Sequence, residues 1–148
     1  MSNAALVLVC ALDLLGRSAE QLPPIVVVDT RPPDATHHAA AFVRSGDRTI
    51  YLIASSVPFQ VALEGPARSG TCGLLDPVRM MASIIVHEEW HLNHGTDEEG
   101  AYLAQLMTLQ RLGAGPGRGP YDAVQRSMRA VMKAYERRLL VASRDLVP

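Results

Sequence analysis

Residues 76–102, DPVRMMASIIVHEEWHLNHGTDEEGAY, decide the architecture. Asp76-Pro77 is a helix start signal, with the acid at N-cap and proline at N1. Apolar residues recur through Met80, Met81, Ile84, Ile85, Val86, Trp90 and Leu92, and Gly95 supplies a C′ stop. Thr96-Asp97-Glu98-Glu99 then reads as a capping box, with Thr96 at N-cap and Glu99 at N3, opening a second helix to about Leu112. Ile84-Ile85-Val86 run straight into His87-Glu88-Glu89-Trp90-His91, which places that polar cluster on a largely buried helix. Unpaired polar groups are costly there, so the cluster needs a purpose.

The spacing supplies one. His87 and His91 are i and i+4 on one helical face, so both imidazoles can reach a single tetrahedral Zn²⁺ at about 2.0–2.1 Å. Glu88 lies roughly 100° around the helix from His87. It borders such an ion rather than binding it, and suits a general base that takes a proton from an activated water and delivers it to the leaving amine. A catalytic zinc takes three protein ligands, so a third is expected close by. The turn at Gly95 brings Asp97, Glu98 and Glu99 back toward the first helix. Glu98 is preferred among them, because Glu99 belongs to the capping box and Ala101, on the face of Glu98, lets two helices approach closely. His94 is a candidate to bind a substrate oxyanion or orient Glu98, or else a C-cap favoured by the helix dipole. Tyr102 is a candidate transition-state donor, or else a packed ring. Glu89 faces away from His87 and needs solvent or a partner such as an arginine.

His-Glu-x-x-His followed by Glu-x-x-Ala resembles the gluzincin metallopeptidases, in particular their minimal bacterial members. The resemblance covers Ile84 to Tyr102 and implies that His87, His91 and Glu98 bind one zinc per chain, with Glu88 as general acid and base. It also implies a zincin-like fold, in which a small twisted sheet lies over the active-site helix and its edge strand pairs with an extended peptide substrate. Arg48 to Ala54 is the candidate for that edge.

The rest of the chain reads as one α+β domain spanning residues 1–148, with two helices after the active-site helix. A first helix covers about Ala4 to Leu15, and Ile25 to Asp29 is a β-branched strand. Ala40 to Arg44 and Arg48 to Ala54 form a hairpin, and a short helix begins near Ser56 and ends at Gly65. Gly65 to Gly73 is a loop. Gly113 to Pro120 is a flexible connector, and a last helix spans about Tyr121 to Ser143, with a basic stripe at Arg126, Arg129, Lys133 and Arg137.

Composition narrows the function. The 148 residues hold 14 Lys+Arg against 15 Asp+Glu, a net charge of −1, and aromatics are 5%. No basic field or stacking surface points to nucleic acid. No segment is long enough to span a membrane. The apolar run Ala4 to Leu12 lacks the basic residues of a signal peptide, and Ser2-Asn3-Ala4 looks like an expression-tag remnant, so the compartment stays open. Cys10 is most simply a core residue, and a Cys10–Cys72 disulfide needs an oxidising compartment and a short Cα separation. His37-His38 read as loop histidines with no task. The expected function is zinc-dependent hydrolysis of a peptide or protein substrate. Its rival is a non-catalytic zinc domain, a sensor or partner-binding module whose fourth ligand comes from His94, Asp97 or Cys72. In either case a partner protein or self-association is a candidate to complete the cleft.

Overall fold

In the computed structural model, residues 2–35, 39–69, 72 and 75–145 are described. The chain is a mixed α+β fold, with five α-helices and one small sheet among the described residues. Helix α1 spans Asn3–Leu15, β1 Ile25–Val28, β2 Ala41–Phe42, β3 Ile50–Ile53, α2 Val57–Ser69, α3 Asp76–His94, α4 Glu98–Arg111 and α5 Gly119–Asp145. His37 and His38 lie outside the described residues.

Helix α3 is the axis of the molecule. It is flanked by α1, α2, α4 and α5 and packs on β2 and β3. From Met81 to Glu88 every residue is buried, polar ones included, as befits a helix with neighbours on all sides. Its apolar residues Met81, Ala82, Ile84 and Ile85 join Val7, Ala11, Ile50, Leu52 and Phe59 in the main core. A second cluster of Leu106, Leu109, Ala114 and Val124 fastens α4 to α5, and Met80 touches both.

The sheet order is β1-β3-β2, with β1 parallel and β2 antiparallel to β3. Arg48 to Ala54, expected at the free edge, therefore supplies the central strand. Three of the four β3 residues are buried, and the strand with the most apolar surface to cover takes the place with a neighbour on each side. The free edges, among the described residues, belong to β1 and β2. On the outer face of the sheet Phe42 stacks on Tyr51 with centroids 4.9 Å apart, and Arg44 lies over both rings.

Several boundaries also move. Helix α2 passes through Gly65 and continues to Ser69. The N-cap of α3 is Leu75, so Asp76 is already helical, and its carboxylate binds Arg79 and Arg118 instead of capping. Ser2 caps α1 through its hydroxyl. The segment from Gly113 is a hydrogen-bonded turn with Ala114 fully buried, not a loose tether, and α5 begins at Gly119. A disulfide joins Cys10, in the core of α1, to Cys72 just before α3, with the Cα atoms 5.0 Å apart. Among the described residues no helix is long and apolar enough to cross a membrane.

Candidate metal centre

The corner between α3 and α4 builds the site. Gly95 ends α3 at φ 77° and ψ −145°, a conformation open to glycine and strained for other residues. Its N–H donates to the His91 carbonyl, and its own carbonyl accepts from His91 Nδ1 at 2.7 Å. One residue thus stops the helix and aims an imidazole. Two residues later Asp97 caps α4, its carboxylate accepting from the Gly100 N–H at 3.1 Å. Asp97, not Thr96, is the N-cap, and the expected capping box with Glu99 does not form. With the chain turning at Gly95, it is the Asp97 carboxylate that meets the third N–H of the helix, so α4 starts one residue later than expected.

Close approach of the two helices depends on small residues. Ala101 is fully buried. At Gly100 a Cβ would stand 2.5 Å from the Trp90 ring and from the Asp97 carboxylate. With these positions small, α4 lies against α3 and its first residue, Glu98, reaches the histidines.

The donor atoms converge. Glu98 Oε1 is 2.9 Å from His91 Nε2, and Glu98 Oε2 is 3.5 Å from His87 Nε2. The two Nε2 atoms are 3.3 Å apart. Two nitrogens bound to one tetrahedral ion at about 2.05 Å stand roughly 3.3 Å apart, so the spacing suits a shared metal. All ligating atoms of His87, His91 and Glu98 lie within 4.8 Å of one another, and the group can hold a metal ion. Both Nδ1 atoms are already engaged, His87 donating to Gln105 Oε1 at 2.9 Å and His91 to Gly95. That leaves both Nε2 atoms for the site, as metal-ligating histidines require.

Charge reinforces the convergence. Hydrogen bonds from His87 and His91 hold the Glu98 carboxyl down at about 2 despite its partial burial. The bond to Glu98 pushes His91 up to about 9, against the opposing effect of burial. The neighbouring Glu88 is 8% exposed, and burial raises its carboxyl above the ordinary range, partly offset by His87 and His91.

The other sequence candidates separate. Tyr102 is at the site, its ring meeting His87 edge-on with centroids 4.7 Å apart. His94 is not. It is exposed, donates to the Trp90 carbonyl and stacks on the Trp90 ring at 3.8 Å. Glu89 points away from the histidines and binds Arg17 Nη1 through both oxygens at 2.6 and 2.7 Å. Gln105 and Ser83, which contact or support His87, were not singled out in the sequence. Gln105 lies seven residues after Glu98, two helical turns along the same face, and that periodicity is the signal that could have found it.

No protein-family model, curated protein or solved structure matches the chain.

Proposed function

We propose that the protein is a zinc-dependent metallopeptidase, with His87, His91 and Glu98 as the zinc ligands and Glu88 as general base and acid. The observation that carries this reading is the convergence of two imidazole Nε2 atoms and a carboxylate beside a buried glutamate on the same helix. A mixed nitrogen and carboxylate set of three is the donor chemistry of catalytic zinc sites. Zinc bound there supplies Lewis acidity, polarising a carbonyl and acidifying water. Glu88, shielded from bulk solvent, accepts the proton of the attacking water and returns it to the leaving amine. Tyr102 packs on the ligand His87 from the α4 side and is the candidate to donate to the developing oxyanion. An extended peptide can add to the free edge of β2, the short strand that packs on α3.

The rival reading, a closed structural zinc, draws less support. Cys72 is committed to the disulfide, His94 to Trp90 and Asp97 to capping α4. None of the three joins the donor cluster, which favours a fourth position open to water and substrate. The Cys10–Cys72 disulfide is compatible with an exported protein.

The test combines elemental mass spectrometry with a peptide-library cleavage assay. The expected result is about one zinc per chain, kept in Glu88→Gln, while cleavage falls by a factor on the order of 10²–10⁴ in that variant. Cleavage undiminished in Glu88→Gln overturns its role, and wild-type protein that takes up no zinc overturns the site.

A further inference from the structure

We propose that Gln105, locked in one orientation by Ser83, is a positioning residue that fixes His87 as a metal ligand. The inference rests on the metal site above and adds to it the device that selects the ligating nitrogen. Ser83 is fully buried and Gln105 is 4% exposed, in the contact between α3 and α4. Packing alone asks for neither polar group there, since burying them costs free energy unless they are hydrogen-bonded.

The direction of each bond follows from the donors and acceptors available. The carbonyl of Met80 can only accept, so the Ser83 hydroxyl, 2.7 Å away, donates to it. With its proton so used, Ser83 Oγ accepts from Gln105 Nε2 at 3.1 Å. The amide is thereby oriented with Oε1 toward His87. An amide oxygen can only accept, so His87 Nδ1 carries the proton across the 2.9 Å contact. When the ring is neutral, Nε2 is then the bare nitrogen, and Nε2 faces His91 and Glu98.

The site itself pulls the other way. Glu98 Oε2 lies 3.5 Å from His87 Nε2, and a carboxylate there favours a proton on the nitrogen that must be bare to bind metal. Gln105 and Ser83 counter that pull from the far side of the ring. His91 has the Gly95 carbonyl for the same purpose, an acceptor that cannot rotate. A side-chain amide can, and Ser83 stops it.

The experiment measures zinc affinity by competition with a chromophoric chelator, and the His87 tautomer by long-range ¹H–¹⁵N NMR of metal-free protein at a pH where the ring is neutral. The wild type should show His87 protonated at Nδ1. Gln105→Leu should weaken zinc binding about 10–100-fold and move His87 toward the Nε2–H form. Gln105→Glu should bind zinc far better than the Leu variant, because its carboxylate accepts the same Nδ1 proton. A purely structural role predicts the reverse order, since Glu buries a charge where Leu does not. Should the Leu variant not fold, Ser83→Ala, expected to weaken zinc several-fold, and the wild-type tautomer decide. Unchanged affinity in Gln105→Leu and Ser83→Ala, or an Nε2–H His87 in the wild type, overturns the proposal while leaving the metal site standing. Absence of zinc binding in the wild type overturns the site, and with it the role of Gln105.

Discussion

Helix α3 carries at each end a carboxylate met by two basic side chains, and the two ends differ in one respect that decides what each can do. At its N-terminal end Asp76 accepts from Arg79 at 2.8 Å and from Arg118 at 3.1 Å, tying the first turn of α3 to the start of α5. At its C-terminal end Glu98 meets His87 and His91 at similar distances. Arginine never gives up its proton in a protein, so in the first cluster the carboxylate stays paired with cations that have no lone pair to offer a metal. An imidazole can exchange its proton for a metal. A similar pairing of a carboxylate with basic side chains is therefore a fastening at one end and a group that could hold a metal ion at the other.

Turning the second cluster into a copy of the first breaks the comparison most severely. His91→Arg keeps a cation beside Glu98 but removes a ligating nitrogen. Zinc content should fall from about one per chain to none, while the thermal midpoint of the metal-free protein stays within a few degrees of wild type. Zinc retained in His91→Arg would show that the histidine is not a ligand. The next effect belongs to the closed end. The Cys10–Cys72 disulfide spans 62 residues and pins the entry to α3 against α1. Loop-closure entropy over that length is worth about 4 kcal/mol, so Cys10→Ser should lower the unfolding free energy by roughly that amount in urea. Zinc stoichiometry should survive, because no ligand lies in the bridged segment. A loss below about 1 kcal/mol would mean that core packing around α1 already holds that entry.

The two ends were not equally legible in the sequence. His87, Glu88, His91 and Glu98 announce themselves because helical periodicity alone places the first three, and a single turn at Gly95 places the fourth. Helices α1, α3, α4 and α5 were visible for the same reason. What escaped depended on contacts distant in sequence. The Arg17 partner of Glu89 lies 72 residues away, and the disulfide joins residues whose proximity is a product of the whole fold. Strand order was lost similarly. Alternation and β-branching mark Ile50 to Ile53 as a strand, yet its central place follows from a parallel pairing with β1 across a long crossover. Capping was misplaced by one residue at both α3 and α4, where Asp76 and Asp97 each had a neighbour that competed for the role.

A smaller perturbation tests whether the open end depends on close helix packing. Gly100→Ala puts a methyl group into the Trp90 ring, and the ring must shift or α4 must back away. Overpacking of this kind costs about 1–3 kcal/mol. If α4 moves, Glu98 is withdrawn from His91, so zinc affinity should fall along with stability. Ala101, one residue on, is buried against the same interface but is not itself a ligand. A Gly100→Ala protein of lowered stability and unaltered zinc affinity would indicate that Trp90 yields and the corner holds.

The mildest effect is expected at the closed cluster, and it is one of pH. Burial works against ionisation of Asp76, but hydrogen bonds from Arg79 and Arg118 outweigh it and hold its carboxyl below the ordinary aspartate value of 3.8. A group whose folded pKa is depressed contributes stability that is fully present above its unfolded pKa and lost as pH falls through the folded value. The increment should therefore be intact at pH 5 and disappear below about pH 3.8. Because the Asp76 side chain is about a third exposed (32%), solvent screening limits that increment to under about 1 kcal/mol. Urea midpoints measured from pH 5 downward should fall more steeply in wild type than in Asp76→Asn, and the two curves should draw together as the acid protonates. Parallel curves would mean that Arg79, which also donates to the Leu112 carbonyl at 2.9 Å, holds the N-terminal end of α3 without help from the carboxylate.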